Sequence, residues 1–286
     1  MDPFQNGSRG TDLTPSRDTE IVKEWINLAA EIVAVPSAAV YGFLLGGPAG
    51  AGVGAAVGTL ASHGLLAAGL EIWERQMSGR EKARVAAVIT MAGDKMQKRL
   101  AAGEKLREYD FFDAKPPYQS HAVEVAESLL LKAQREPQER KLDYIANVIP
   151  FIGFDSAIGV PIAHQLLRFA SELSYYQYCI LALAMHTASF DLFEDHAGSI
   201  GRDKLSGAQT SFLSDCWDLK IKGLLWTGTD LDLNLYEIRP NCLSLQPLGS
   251  MLAKALGLEN IQLQEITHLA ELFVYGHGNI PPKKSA

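Results

Sequence analysis

The sequence predicts a mainly α protein with an N-terminal Gly-rich transmembrane helical hairpin, a cytosolic helical domain and a C-terminal winged-helix-like α+β module. Three observations predict it: an uncharged apolar stretch, a series of helical apolar patterns after it, and two short strand patterns between later helices. The predicted parts are a disordered tail at 1–17, a membrane helical segment at 18–76, the helical domain at 77–190, the winged-helix-like module at 191–275 and a loose tail at 276–286.

The uncharged stretch runs from Ile32 to Leu70 and contains no Asp, Glu, Lys or Arg. Because one crossing of a bilayer needs about 20 apolar residues, this stretch is long enough for two crossings with a turn at residues 46–48. Glycines recur in it at every fourth position, which lines one side of a helix with bare backbone and favours close packing between membrane helices. We therefore expect a lipid bilayer and a homo-oligomer as partners. The predicted helix-packing residues are Gly42, Gly46, Gly50, Gly54 and Gly58.

Basic residues follow the uncharged stretch more densely than they precede it. Arg75, Arg80 and Arg84 lie on its C-terminal side, whereas Lys23 is the nearest base on its N-terminal side. Because basic flanks stay on the cytoplasmic side of a membrane, the bulk of the chain is expected to be cytoplasmic. The residues expected near lipid headgroups are Arg75, Lys82, Lys98 and Arg99.

Apolar periodicity predicts the helices and strands of the remaining chain. The helix predicted at 139–149 ends at Pro150, and the helix predicted at 174–186 is apolar nearly all round, which indicates the centre of a core. The other predicted helices are 78–107, 120–135, 164–173, 212–225, 247–256 and 263–274. The predicted strands are 236–239 and 243–245.

The charge of the chain argues against a nucleic-acid-binding protein. The formal net charge is −7, and phosphate binding needs clustered Lys and Arg. In the winged-helix-like module acidic residues outnumber basic ones, so we expect protein contacts and no specific DNA binding. The acidic residues are Asp215, Asp218, Asp230, Asp232 and Glu237, against Lys220, Lys222 and Arg239.

Residues with catalytic or metal-binding spacing are not found in the sequence. Cys179, Cys216 and Cys242 lie far apart and form no CxxC pair, so neither a disulfide framework nor a zinc site is indicated. The acidic group at 191–196 has metal-ligand residue types without a ligand spacing such as HExxH. We predict a protein that is not an enzyme, with no catalytic residues, no metal and no cofactor.

The Gly-rich stretch has a second interpretation, which is a flavin-binding oxidoreductase with FAD. The sequence VYGFLLGGPAGAGVG, from Val40, resembles a dinucleotide-binding strand, glycine turn and helix. In this interpretation Gly47 and Gly50 approach the pyrophosphate and Glu71, or Glu74, binds the ribose hydroxyls. The motif departs from the fingerprint at Leu45, where the first glycine belongs. A third interpretation is a soluble helical adaptor protein.

Several stretches resemble a group of bacterial proteins that place a Gly-rich apolar segment before a helical cytosolic domain. These stretches are SGREKARV, REPQERKLDYIANVIPFIGFD, LSYYQYCILALAMH and LSLQPLGSMLAKAL. Proteins of this build resemble membrane effectors of bacterial anti-phage systems, in which the soluble part senses a signal and the membrane part alters permeability. The resemblance implies location in the inner, cytoplasmic membrane, control by a signalling ligand or sensor protein, and an oligomer that forms a pore or perturbs the membrane.

Overall fold

The computed structural model describes residues 78–107, 111, 116, 118–190, 192, 205–228 and 234–272. These residues form eight α-helices and one antiparallel pair of strands, so the predicted mainly α class is confirmed. The helices are α1 (Gly79–Ala101), α2 (His121–Arg135), α3 (Leu142–Phe154), α4 (Val160–Glu172), α5 (Tyr175–Met185), α6 (Gly207–Ile221), α7 (Pro247–Leu256) and α8 (Leu263–Leu272). The strands are β1 (Leu225–Trp226) and β2 (Ser244–Leu245).

The predicted membrane segment lies outside the described residues, and so do both tails. None of the helices in the part of the chain that the structure describes combines the length and apolarity needed to cross a bilayer. The helix-packing glycines, the flavin-binding residues and Arg75 therefore stay predictions. The predicted residues outside the structure are Gly42, Gly46, Gly47, Gly50, Gly54, Gly58, Glu71 and Arg75.

Helix α1 begins at a reciprocal cap and packs its apolar face on α2 and α3. The backbone N–H and the hydroxyl of Ser78 both donate to Glu81 Oε2, at 2.8 and 2.7 Å, which satisfies groups at the open start of the helix. The prediction that this helix continues to residue 107 is wrong. Its chain turns at Gly103, whose φ of +87° is a conformation that glycine adopts without strain.

Helix α3 continues through Pro150 to Phe154, so the prediction that the proline ends it is wrong. A proline inside a helix costs about 3 kcal/mol because it removes an N–H donor. Burial of the apolar residues around Pro150 offsets this cost. Two arginines also satisfy the last carbonyls of the helix: Arg99 Nη1 donates to Pro150 O at 2.9 Å, and the backbone N–H of Arg107 donates to Gly153 O at 3.0 Å. Positive charge at this end also complements the helix dipole.

Helix α5 lies at the centre of the fold, as its apolar sequence predicts. Ser174 caps it, and the side chain of Gln177 completes a capping box. Residues 177–184 are all buried. Around α5 pack α6, α7, α8, β2 and the 3₁₀ turn Leu258–Asn260.

The segment between α6 and α7 holds the two-stranded sheet, in which Leu225 pairs with Leu245. The strand predicted at 243–245 is confirmed by β2, but the strand predicted at 236–239 is wrong. That segment contains a 3₁₀ turn, Leu235–Glu237, because the side chain of Asn234 accepts a hydrogen bond from Tyr236 N at 3.0 Å. Helix α7 occupies the predicted range 247–256.

The buried residues on both sides of position 191 belong to one hydrophobic cluster. Helix α7 connects the halves, since it packs on α3 and α4 as well as on α5. The predicted division into two domains at this position stays a prediction.

Gly249 allows α7 to lie against the chain that precedes β1. A Cβ atom at this position would stand 1.9 Å from Leu224 O, so a side chain requires the backbone to move. We expect Gly249→Ala to lower the free energy of unfolding by about 2 kcal/mol or more, as overpacking of a core does. Denaturant titration of the purified chain measures this change.

Gly93→Ala is the matched control for this substitution. Gly93 lies inside α1, and a Cβ atom there has no neighbour within 4 Å. Alanine should therefore stabilise the helix by roughly 0.5–1 kcal/mol. If the two substitutions had the same effect, the close approach at Gly249 would not be a constraint.

Candidate functional site

A cluster of polar side chains joins helices that are distant in sequence. Tyr175 Oη, at the start of α5, donates a hydrogen bond to Glu265 Oε2 of α8 at 2.7 Å. Arg140 Nη2 donates to the same oxygen at 2.7 Å, and its guanidinium lies 4.3 Å from the centre of the Tyr175 ring. We call this group the Tyr175 cluster. Its members are Arg140, Tyr144, Tyr175, Cys179 and Glu265.

Burial raises the pKa of the two tyrosines and of the cysteine in the Tyr175 cluster. Desolvation raises the pKa of Tyr175 and of Tyr144, and the hydrogen bond to Glu265 raises that of Tyr175 further. Desolvation also raises the pKa of Cys179 to about 11. The thiolate and the phenolate are the reactive forms of these groups, and the raised pKa values disfavour both forms near neutral pH. The cluster is suited to holding α3, α5 and α8 together.

The first turns of α5 and α8 and the turn before α3 set the positions of these residues. The cap at Ser174 fixes the first turn of α5 and thereby Tyr175, while Glu265 lies in the first turn of α8, where a carboxylate is favoured by the helix dipole. Arg140 belongs to the 3₁₀ turn Glu139–Lys141 between α2 and α3. No sequence motif marks Arg140, Tyr175 or Glu265, and the local sign of them is two tyrosines opening an apolar helix.

A buried ion pair lies behind this cluster. Lys141 Nζ donates to Glu136 Oε2 at 2.6 Å and to Ser171 O at 3.0 Å, and both charged side chains are buried. Burial lowers the pKa of Lys141, and the hydrogen bond to Glu136 opposes this change. The pair ties the end of α2 to the end of α4. Since it is shielded from solvent, we assign it a structural role.

Further polar contacts extend from the Tyr175 cluster to both sides. Toward α1, Arg80 Nε donates to Glu139 Oε1 at 2.8 Å, and Tyr175 N donates to Gln138 Oε1 at 2.7 Å. Toward α6, Gln177 Nε2 donates to Asp218 Oδ2 at 2.9 Å, and Asp218 pairs with Lys222. The start of α1, the end of α2, the start of α5, the end of α6 and the start of α8 therefore meet at one end of the fold, which we call the tether end because the chain enters α1 there.

The structure places two of the four predicted headgroup residues at the opposite part of α1. Lys98 pairs with Asp94 at 2.7 Å. Arg99 is bound to Glu104 and to Pro150 O, and its guanidinium lies 4.3 Å from the centre of the Phe154 ring. These contacts give Arg99 a role in holding α3. Lys82 lies in α1, and its side chain is not described. Contact of these residues with lipid stays a prediction.

Metal-ligating residues do not gather in the described ranges. Among them the structure contains no group of three His, Cys, Asp or Glu side chains that could hold a metal ion. Asp215 and Asp218 lie close together, and burial followed by the charge of Asp218 raises the pKa of Asp215. This pair is bound by Gln177 and Lys222 of the protein itself.

Removal of the Glu265 carboxylate tests the Tyr175 cluster. Glu265→Ala leaves Tyr175 and Arg140 without their shared acceptor, and we expect a loss of about 1 kcal/mol in the free energy of unfolding, given partial solvent exposure. Glu259→Ala, an exposed carboxylate on the neighbouring turn, should change it little. A double-mutant cycle with Tyr175→Phe should give a coupling energy, and strict additivity would contradict the contact.

The raised pKa values predict loss of stability in alkali. The thiol of Cys179 ionises near its ordinary 9.0 when unfolded but at about 11 in the fold, and Tyr176 near 10.0 when unfolded but at about 12 in the fold. Between the unfolded and the folded pKa of each group, the folded state binds more protons than the unfolded state. The free energy of unfolding therefore falls as pH rises. The lowered pKa of Lys141 makes the free energy of unfolding rise with pH, but this is one group against two.

Urea titrations across this pH range measure the effect. Cys179→Ala should flatten the decline between pH 9.0 and about 11, because it removes one of the groups responsible. Stability that stays constant or rises in the wild-type chain over this range would contradict the assignment.

Comparison of the chain with protein-family models, with curated proteins and with solved structures gave no match.

Proposed function

We propose that this protein is a membrane-anchored, oligomerising, non-enzymatic effector of bacterial phage defence, whose Gly-rich segment perturbs or permeabilises the inner membrane under control of the helical domain. The observation that carries the proposal is the uncharged stretch at 32–70 with its five glycines at four-residue spacing. Small residues at this spacing let helices approach closely in lipid, where apolar surface alone does not drive association.

The cost of glycine in a helix favours a membrane over a water-soluble core. Each glycine inside a soluble helix costs roughly 0.5–1 kcal/mol relative to alanine. Those glycines that share one side of a helix would need very close packing in compensation. In a bilayer that packing comes from neighbouring copies of the segment, which is why the proposal includes a homo-oligomer.

The properties of the helical domain support a role in control of the membrane segment. Its residues enclose a hydrophobic core of their own, and the phenols and the thiol of the Tyr175 cluster are protonated near neutral pH. A domain with a core of its own can keep its fold outside the bilayer, and we assign to it the binding of a signalling ligand or a sensor protein and the control of the segment that precedes α1.

The C-terminal part supports a protein-binding role within this proposal. The order α6, β1, β2, α7, α8 puts a small antiparallel pair between helices, and we interpret it as a winged-helix-like module. The carboxylates of Asp215 and Asp218 lie on α6, where they would repel the phosphates of DNA. A protein partner is therefore favoured over nucleic acid.

Substitution of one of the five predicted helix-packing glycines tests the proposed function. Gly54→Leu places a bulky side chain in the predicted helix-packing seam, so it should abolish cross-linked oligomers in isolated membranes and the loss of membrane potential on overexpression. Gly54→Ala keeps a small residue and should retain most of both. Val57→Leu, a conservative change at a position that is not one of these five glycines, is the control for a larger side chain in this segment. Oligomers and depolarisation that persist in Gly54→Leu would contradict the helix-packing role of this glycine.

A further inference from the structure

We propose that the tether end of the domain rests on the surface of the lipid bilayer, with Ile221 and Leu263 in the headgroup layer and Arg80 and Arg140 on lipid phosphates. This inference rests on the proposed function, and it adds an orientation of the domain and a specific docking surface. In this orientation Lys98 and Arg99, in the last turn of α1, lie away from the bilayer, so the inference replaces the prediction that they contact lipid headgroups. The occupant of the surface is the bilayer itself.

Side-chain contacts place these four residues at the same end of the fold. Arg80 is bound to Glu139, and the next residue, Arg140, is bound to Glu265 in the first turn of α8, which Leu263 begins. The first turn of α5 bridges α8 and α6, because Tyr175 is bound to Glu265 and Gln177 is bound to Asp218 in the last turn of α6. Ile221 ends that helix.

Exposed apolar side chains mark this end. Among the side chains that the structure describes, three large hydrophobic ones are exposed, and two of them, Ile221 at 69% and Leu263 at 52%, belong to this end. The third, Tyr118 at 73%, precedes the start of α2, whereas the end of α2 lies at the tether end. Because α2 has 15 residues, about 22 Å of helix separates Tyr118 from this surface.

Exposed arginines accompany the apolar residues. The side chains of Arg80 and Arg140 are 70% and 67% exposed although each contacts a carboxylate. A guanidinium carries five N–H donors, so donors remain for a phosphate oxygen. Half-buried Trp217 lies in the same last part of α6, with Lys220 Nζ 5.3 Å from its ring centre. Aliphatic, aromatic and basic side chains together occur at surfaces that lie in the membrane interface. The carboxylates at the same end, Glu139, Asp218 and Glu265, each pair with a base of the protein.

The chain between the uncharged stretch and α1 is short, which limits how far the tether end can lie from a bilayer that contains that stretch. Seven residues, 71–77, separate the uncharged stretch from Ser78. Fully extended they span at most about 25 Å. The start of α1 is held in place by the Ser78–Glu81 cap and by Arg84 Nη1, which donates to Gln134 O at 3.2 Å. If residues 32–70 are in the membrane, the tether end is the part of the domain held closest to it.

Site-specific fluorescence in reconstituted membranes tests the proposal. The full-length chain with Cys242→Ser, which removes the one incompletely buried thiol among the described cysteines, carries a single new cysteine in three variants: Ile221→Cys, Leu263→Cys and Tyr118→Cys. Each is labelled with an environment-sensitive dye in vesicles of phosphatidylcholine and phosphatidylglycerol that contain a headgroup spin-labelled lipid. Circular dichroism and flotation are measured on the same samples.

We expect the labels at 221 and 263 to shift to the blue and to lose fluorescence to the lipid-borne quencher, while the label at 118 does neither. Equal quenching at all three positions, or none at 221 and 263 in vesicles that float with the protein, would overturn the orientation alone. Protection from an aqueous quencher without lipid quenching would instead assign this surface to a second copy of the chain. Protein that does not float would contradict the proposed function.

Variants of the arginines test the phosphate contact separately. Arg80→Gln and Arg140→Gln in the Ile221→Cys background should reduce the quenching at 221, whereas Lys254→Gln, an exposed base on α7, should not. Pure phosphatidylcholine vesicles separate contact with phosphate in general from attraction to anionic lipid. Quenching that is unchanged in both arginine variants would overturn their role.

Discussion

Enclosure of α5 by the other helices is the constraint on which the described fold depends. Eight consecutive residues of this helix are buried, so every side of it needs an apolar neighbour. Helices α6, α7 and α8, strand β2 and the turn after α7 supply those neighbours, and α7 joins them to the bundle of α1 to α4. The close approach at Gly249 and the central position of α7 both follow from the need to cover α5.

Burial of α5 also explains the polar network at its first turn. Polar groups next to a buried helix must find partners, because an unpaired one in a low-dielectric interior is costly. Tyr175 donates a hydrogen bond to Glu265, Gln177 donates one to Asp218, and Lys141 donates one to Glu136. Together with the contact of Arg80 with Glu139, they bring the ends of five helices together, and this is the end of the domain at which the chain arrives from the Gly-rich segment.

Sequence patterns predicted the helices where local signals are strong. The range of α7 was predictable because Pro247 opens it and Gly257 closes it, and the start of α5 because Ser174 and Gln177 form a capping box. The continuation of α3 past Pro150 was not predictable, since it depends on burial and on donors from α1 and the segment after it. The Tyr175 cluster was also out of reach, because Arg140 and Glu265 are 125 positions apart.

The account of function depends on where residues 32–70 lie. The most direct measurement is the distribution of the full-length protein after low-level expression in bacteria, with the membranes washed in alkaline carbonate to remove peripheral proteins. The account predicts that the protein stays with the washed inner membrane. Protein recovered in the soluble fraction before the wash would contradict it.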